Sequence, residues 1–262
     1  MARSGFLLLP LFALPLAAAP AGGFRFRAST HAEGTASAAI SMADIEVAGR
    51  VDGSKARIEI EKSRNPLLPQ GSILLTPDGG KTFSLLDPAK KTSAAWTPPD
   101  RARGAAASRS SMVRVRFESP EVRKLEEKPG EKIAGYATKY SRFRISYVAA
   151  VDVMGSEQKT ATTRVEELWT APDLTDAGFA AWLRKDSSPT GNDELDRRVA
   201  AELDAEPGTP LKRVTTTTWK DSSGKDQTVK STIAVTDLRK EPAPAALFEA
   251  PPGFRELSPG KR

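Results

Sequence analysis

Cysteine is absent from this chain, and histidine occurs once, at His31. Without cysteine there can be no disulfide, no thiol nucleophile, no thiolate-held metal and no covalent haem attachment. A multi-histidine metal site is equally out of reach, and any Ser-His-Asp triad would have to use His31. No G-x-S-x-G turn marks a serine nucleophile. No D-x-[DN]-x-[DN]-G loop spaces oxygens for calcium. Gly79-Gly80 precedes no helix, so it reads as a turn and not as a phosphate cradle. The residues therefore point to no catalytic group, no metal and no cofactor.

Aromatic residues are also scarce, at 6%. Lysine and arginine exceed aspartate and glutamate only by 39 to 33, a formal charge of +6. The cations are spaced singly along strand-like segments, as at Arg114, Arg116, Arg142 and Arg144. A nucleic-acid surface needs clustered cations with stacking rings among them, so no nucleic-acid partner is expected. What charge remains suits weak attraction to an anionic membrane surface.

Long apolar runs are missing too. The prominent one, Phe6 to Leu16, is 11 residues with Pro10 and Pro15 inside it, whereas a membrane-spanning helix needs about 20. Arg3 precedes this run and AAAPAG follows it. That order of charge, apolar core and small residues is the pattern of a secretory signal peptide. Ala19 and Ala21 predict cleavage after residue 21, which predicts a periplasmic or extracellular protein with no transmembrane segment after cleavage. The remaining length allows a sizeable core. It reads as one domain over residues 22–255, followed by a disordered tail at 256–262.

Period-two alternation dominates that domain. It begins with FRFRA at residues 24–28, followed by a Gly/Ala/Ser-rich stretch that reads as a loop or a pliant strand. IEVAGRV (45–51) and ARIEIE (56–61) flank Asp52-Gly53, a hairpin signal. GSILLT, KTFSLL and KTSAAW follow, joined by tight turns at Pro77–Gly80 and Asp87–Lys90. Residues 97–112 read as a loop with one helical turn. VRVRFE (113–118) resumes the alternation, with a bend expected at Pro120.

Residues 132–153 carry the strongest strand signal, with mixed parity that predicts a bulge or cover on both faces. TATTRVEELWT (160–170) follows, and a bend is expected near its end. Its adjacent carboxylates, Glu166 and Glu167, would point to opposite faces, so a salt bridge or a solvated face accounts for them better than shared chemistry. LKRVTTTTWK and QTVKSTIAVTD supply two more strands, and Ala245–Phe248 a short turn. Helix is expected in two places. Asp173 or Thr175 would cap one through Leu183, with Phe179, Trp182 and Leu183 on a face. Asn192 would cap a second, with Leu195, Val199 and Leu203 as a packing stripe. The fold class is thus mainly β (α+β): a curved antiparallel sheet or unclosed β-barrel with short helices over its concave face.

Several segments recur together in a known order: GSILLTPDGGKTFSLLDPAKKT (71–92), KIAGYATKYSRFRISY (132–147), TTRVEELWTAPDL (162–174), PLKRVTTTT (210–218) and ALFEAPPGF (246–254). This order resembles the exported DUF4412-type proteins, which are similar to the LolA/LolB lipoprotein-carrier fold. The resemblance implies an unclosed barrel whose hollow, beneath a helical lid, shelters a lipid or a lipoprotein acyl chain. The large apolar residues that would line it are Trp96, Phe117, Tyr136, Phe143, Trp169, Phe179 and Trp182. If the helices instead fill the hollow, the chain reads as a structural or envelope protein-interaction module.

Overall fold

The computed structural model describes residues 22–35, 43–98, 113–185 and 192–257. The expected signal peptide, residues 99–112 of the expected loop and the SPGKR end of the tail lie outside the described residues.

Strand β1 (Phe24–Gly34) follows its sequence alternation: Phe24, Phe26 and Ala28 are buried, while Arg25 and Arg27 point the other way. A meander follows, of β2 (Ile45–Asp52), β3 (Lys55–Ser63), β4 (Ile73–Thr76), β5 (Phe83–Asp87) and β6 (Thr92–Trp96). A second meander begins with the long strands β7 (Val113–Pro129), β8 (Lys139–Val153) and β9 (Ser156–Ala171). Helix α1 (Asp193–Asp204) interrupts it before β10 (Thr209–Lys220) and β11 (Asp226–Lys240). Strand β12 (Arg255–Leu257) comes last.

The twelve strands of the described residues form one unclosed sheet, in the order β12-β6-β5-β4-β3-β2-β1-β11-β10-β9-β8-β7. The pairing of β1 with β11 joins the two meanders, bringing Phe26 opposite Leu238. Every pairing is antiparallel except β12 on β6.

One face of this sheet carries two apolar clusters. The first gathers Phe24, Phe26, Val47, Ile58, Leu74 and Leu211 under Leu174, Phe179 and Leu183. The second gathers Phe143, Ile145 and Leu168 under Leu195, Val199 and Leu203 of α1.

Gly49 lies opposite Phe26 in the β1–β2 ladder. A Cβ there would come within 2.2 Å of the Phe26 ring, which is fully buried. Gly49→Ala is therefore expected to cost about 1–3 kcal/mol by overpacking, read as a lower urea midpoint. An unchanged midpoint would mean that the ring can move aside.

The first expected helix is only a 3-10 turn, Ala177–Ala181. Tertiary bonds join the short local ones here. The Gly178 amide donates to the Gly53 carbonyl, and the Gly53 amide donates to Asp176. The Asp176 carboxylate is thus committed to the β2–β3 turn and makes no cap for its own segment. Gly178 sits so near the Lys55 carbonyl that a Cβ would lie 2.4 Å from it.

The bend expected at Pro120 is a register irregularity inside one continuous strand. Ser119 has φ +51, and the β7–β8 register shifts between Glu118 and Glu121 and again between Lys124 and Glu126. The bulges fall on β7 and not on β8.

Candidate functional site

Helix α1 forms as its sequence dictates. The Asn192 side chain accepts from the Leu195 amide at 2.8 Å, and Asp193, Glu194 and Asp196 occupy the first turn, where the helix dipole favours acids. Leu195, Val199 and Leu203 lie on one face and are buried. They rest on Phe143 and Ile145 of β8 and Leu168 of β9, with Phe117, Val122 and Tyr147 packed at the margin. The Phe117 and Tyr147 rings meet edge to face at 5.2 Å.

The far end of α1 is tied down by charge. Glu206, just past the helix, is 2% exposed. Its carboxylate meets Lys124 of β7 at 2.6 Å and Lys139 of β8 at 3.1 Å, and accepts from Ser141 at 2.8 Å. Lys185 donates to the Glu206 backbone carbonyl. Burial pushes the Glu206 pKa up, but Lys124, Ser141 and Lys139 outweigh it and hold the group below its ordinary value of 4.5.

A carboxylate with a depressed folded-state pKa stabilises fully above its unfolded value and loses that contribution as pH falls through the folded one. The α1 attachment is thus expected to loosen below about pH 4.5, seen as lower amide-exchange protection in α1 once the intrinsic pH dependence of exchange is divided out. Glu206→Gln should remove most of this acid dependence. An α1 exchange rate with the same pH profile in both proteins would contradict it.

Next to the apolar patch that α1 covers, the same face of β9 carries charge. Glu166 is fully buried and Arg164 is 8% exposed. Arg164 Nε lies 3.1 Å from Glu166 Oε1, and Thr215 of β10 donates to Glu166 Oε2 at 2.6 Å. Arg164 Nε and Glu166 Oε1 are buried without a hydrogen bond, so their approach is an ionic contact out of hydrogen-bonding alignment. Phe143 pairs with Glu166, and Ile145 with Arg164, across the β8–β9 ladder. An ion pair therefore borders the apolar surface that α1 covers.

The seven expected lining residues fall in three places. Phe179 and Trp182 belong to the first cluster, and Tyr136 packs against it from the turn at residues 133–136. Trp96 also packs there, stacked on Phe83 at 5.5 Å. Phe117 and Phe143 belong to the second cluster, under α1. Trp169 alternates with Leu168 and lies on the opposite face of β9, against Tyr140 at 4.9 Å and with Lys212 Nζ 4.4 Å above its ring. On that face Tyr140 donates to Glu167 at 2.7 Å. Burial first, then Glu167, pushes the Tyr140 phenol up to about 12. Glu166 and Glu167 thus point to opposite faces, as adjacent strand residues must.

Ile145, Leu168, Arg164, Glu166 and Glu206 were not among the expected site residues. Leu168 and Ile145 share parity with Glu166 and Phe143, so the period-two pattern held the signal for them. Nothing local distinguishes a buried glutamate from an exposed one.

Two clefts of comparable size lie elsewhere. One, of about 480 Å³, runs between the Gly79-Gly80 turn, the 3-10 turn and the end of α1, with Lys81, Arg184 and Lys185 on its walls. The other, of about 490 Å³, is lined by Arg25, Arg50, Arg57, Glu59 and Glu241, where Glu241 pairs with Arg25 and Arg50, and Arg57 with Glu59. Among the described residues no group of three or more acidic or histidine side chains could hold a metal. No described helix is long and apolar enough to cross a membrane. No protein-family model matches this chain, and no curated protein matches it either.

Proposed function

We propose that this is an extracytoplasmic binding protein that shelters a lipid or lipoprotein acyl chain on the concave face of its sheet, with α1 as a displaceable lid. The observation that carries this reading is how little apolar surface holds the lid beyond its charged tether at Glu206. A single 12-residue helix covers Phe143, Ile145 and Leu168 with three apolar side chains. Burying each is worth about 1.5–3 kcal/mol, so lifting the stripe costs about 5–9 kcal/mol. An acyl chain gains about 0.8 kcal/mol per buried methylene, so roughly 6–11 methylenes in the same groove offset that loss. Common acyl chains are longer than this. The lid and the chain would compete for one apolar surface, which gives a closed empty state and an open loaded one.

A second reading also has an observation behind it. The first cluster is plugged, with Phe179 tilted against Phe24 at 5.3 Å and Phe26 at 5.8 Å. A hollow filled in this way throughout would suit an envelope protein-interaction module.

Native mass spectrometry of protein purified from its own compartment, with organic extraction of the same sample, separates the two. The carrier reading predicts a bound lipid or uptake of an added fluorescent acylglycerol. A clean apo mass with no uptake would leave the interaction module.

A further inference from the structure

The Arg164–Glu166 pair is unexplained by folding alone. A buried ion pair often stabilises less than apolar residues of similar volume would. This one is also poorly made: Arg164 Nε and Glu166 Oε1 are buried without a hydrogen bond, and the pair is the one ion pair of Arg164 among the described residues. The Arg164 and Glu166 side chains are 10% and 0% exposed. A donor and an acceptor therefore stand side by side, each with unused capacity, on the strand that α1 covers.

We infer that this pair recognises the neutral polar linkage of a bound amphiphile: an ester or amide carbonyl next to a hydroxyl or N–H. This rests on the acyl-carrier reading and names the ligand class within it. The carbonyl oxygen would accept from the Arg164 guanidinium, and the hydroxyl or N–H would donate to Glu166. Thr215, which donates to the other Glu166 oxygen, fixes that carboxylate in place.

Charge decides between ligand classes. Arg164 and Glu166 already neutralise one another, so a fatty-acid carboxylate would leave a net buried negative charge, which is strongly disfavoured. An acylglycerol or an N-acylated terminus adds no charge. The site thus selects the esterified or amidated chain over the free acid.

The test is displacement of a pyrene-labelled acylglycerol by 1-monooleoylglycerol or by oleate near neutral pH. The wild type is expected to prefer monooleoylglycerol by about tenfold or more. The charge-free double variant Arg164→Met/Glu166→Leu should take up the pyrene lipid more weakly, having lost both contacts to the linkage, and should lose the preference. Arg164→Lys keeps the charge but loses the planar fork, and should lower the preference in a chain that retains its ion pair. Equal affinities for the two competitors in the wild type, or a preference that survives in both variants, would overturn this inference while leaving the carrier reading intact. Failure to take up the pyrene lipid at all would overturn both.

Discussion

Phe179→Ala is expected to lower the unfolding free energy by about 3–5 kcal/mol, in the range for deleting a buried phenylalanine ring. Phe179 is 1% exposed and belongs to the first apolar cluster. Its ring contacts the rings of both Phe24 and Phe26, on the strand where the two meanders join. Tilted aromatic pairs contribute beyond the area they bury. The surrounding strands are held by their ladders on both sides, which limits collapse into the space. A urea titration should show the loss as a midpoint lower by about 1–2 M. Leu67→Ala, at a residue 51% exposed, is the control and should leave the midpoint nearly unchanged. Equal shifts in the two variants would mean that the 3-10 segment does not plug the core.

Glu166→Leu alone should cost a similar amount, about 3–5 kcal/mol, for a different reason. It strands the Arg164 cation in a site where the residue is 8% exposed, and it removes the acceptor for the Thr215 hydroxyl. Adding Arg164→Met removes the stranded charge. The double variant should therefore be substantially more stable than the Glu166→Leu single variant. Urea midpoints of both proteins check this. Additive losses, with the double variant the least stable, would show that the two side chains do not depend on each other.

Period-two patterning made much of the fold legible. The Asp52-Gly53 hairpin, the three short strands after it and the turn at Ala245–Phe248 lie where alternation and turn residues put them. The α1 cap and stripe were equally local: Asn192 before an acidic first turn, and apolar residues at spacing four. Legibility ended where a long-range contact overrode a local preference. The segment around Phe179 has helical spacing, yet its Gly178 amide and its Asp176 carboxylate bond to the β2–β3 turn. The pairing of β1 with β11 joins residues some 200 apart, and no window of sequence encodes it.

The mixed parity of residues 132–153 has a plain cause. Tyr136 precedes β8, and both faces of β8 are covered, by Tyr140 on one side and Phe143 on the other. Near the end of β9, where the β9–β10 register shifts between Pro210 and Lys212, adjacent residues likewise find cover on opposite faces. Leu168 packs under α1, while Trp169 packs on Tyr140. Of the candidate site, the apolar stripe was readable and the charges were not. Glu206, Arg164 and Glu166 are residue types that ordinarily face solvent; only the packed structure reveals them as buried.

The most direct test of the lid is the acyl-chain affinity of Val199→Ala. Val199 is 5% exposed in the α1 stripe. Removing two methyl carbons weakens the closed state by about 1.6 kcal/mol. If α1 and the acyl chain compete for the same surface, the variant should bind a fluorescent acyl lipid up to about tenfold more tightly than the wild type. Unchanged or weaker binding would contradict a displaceable lid.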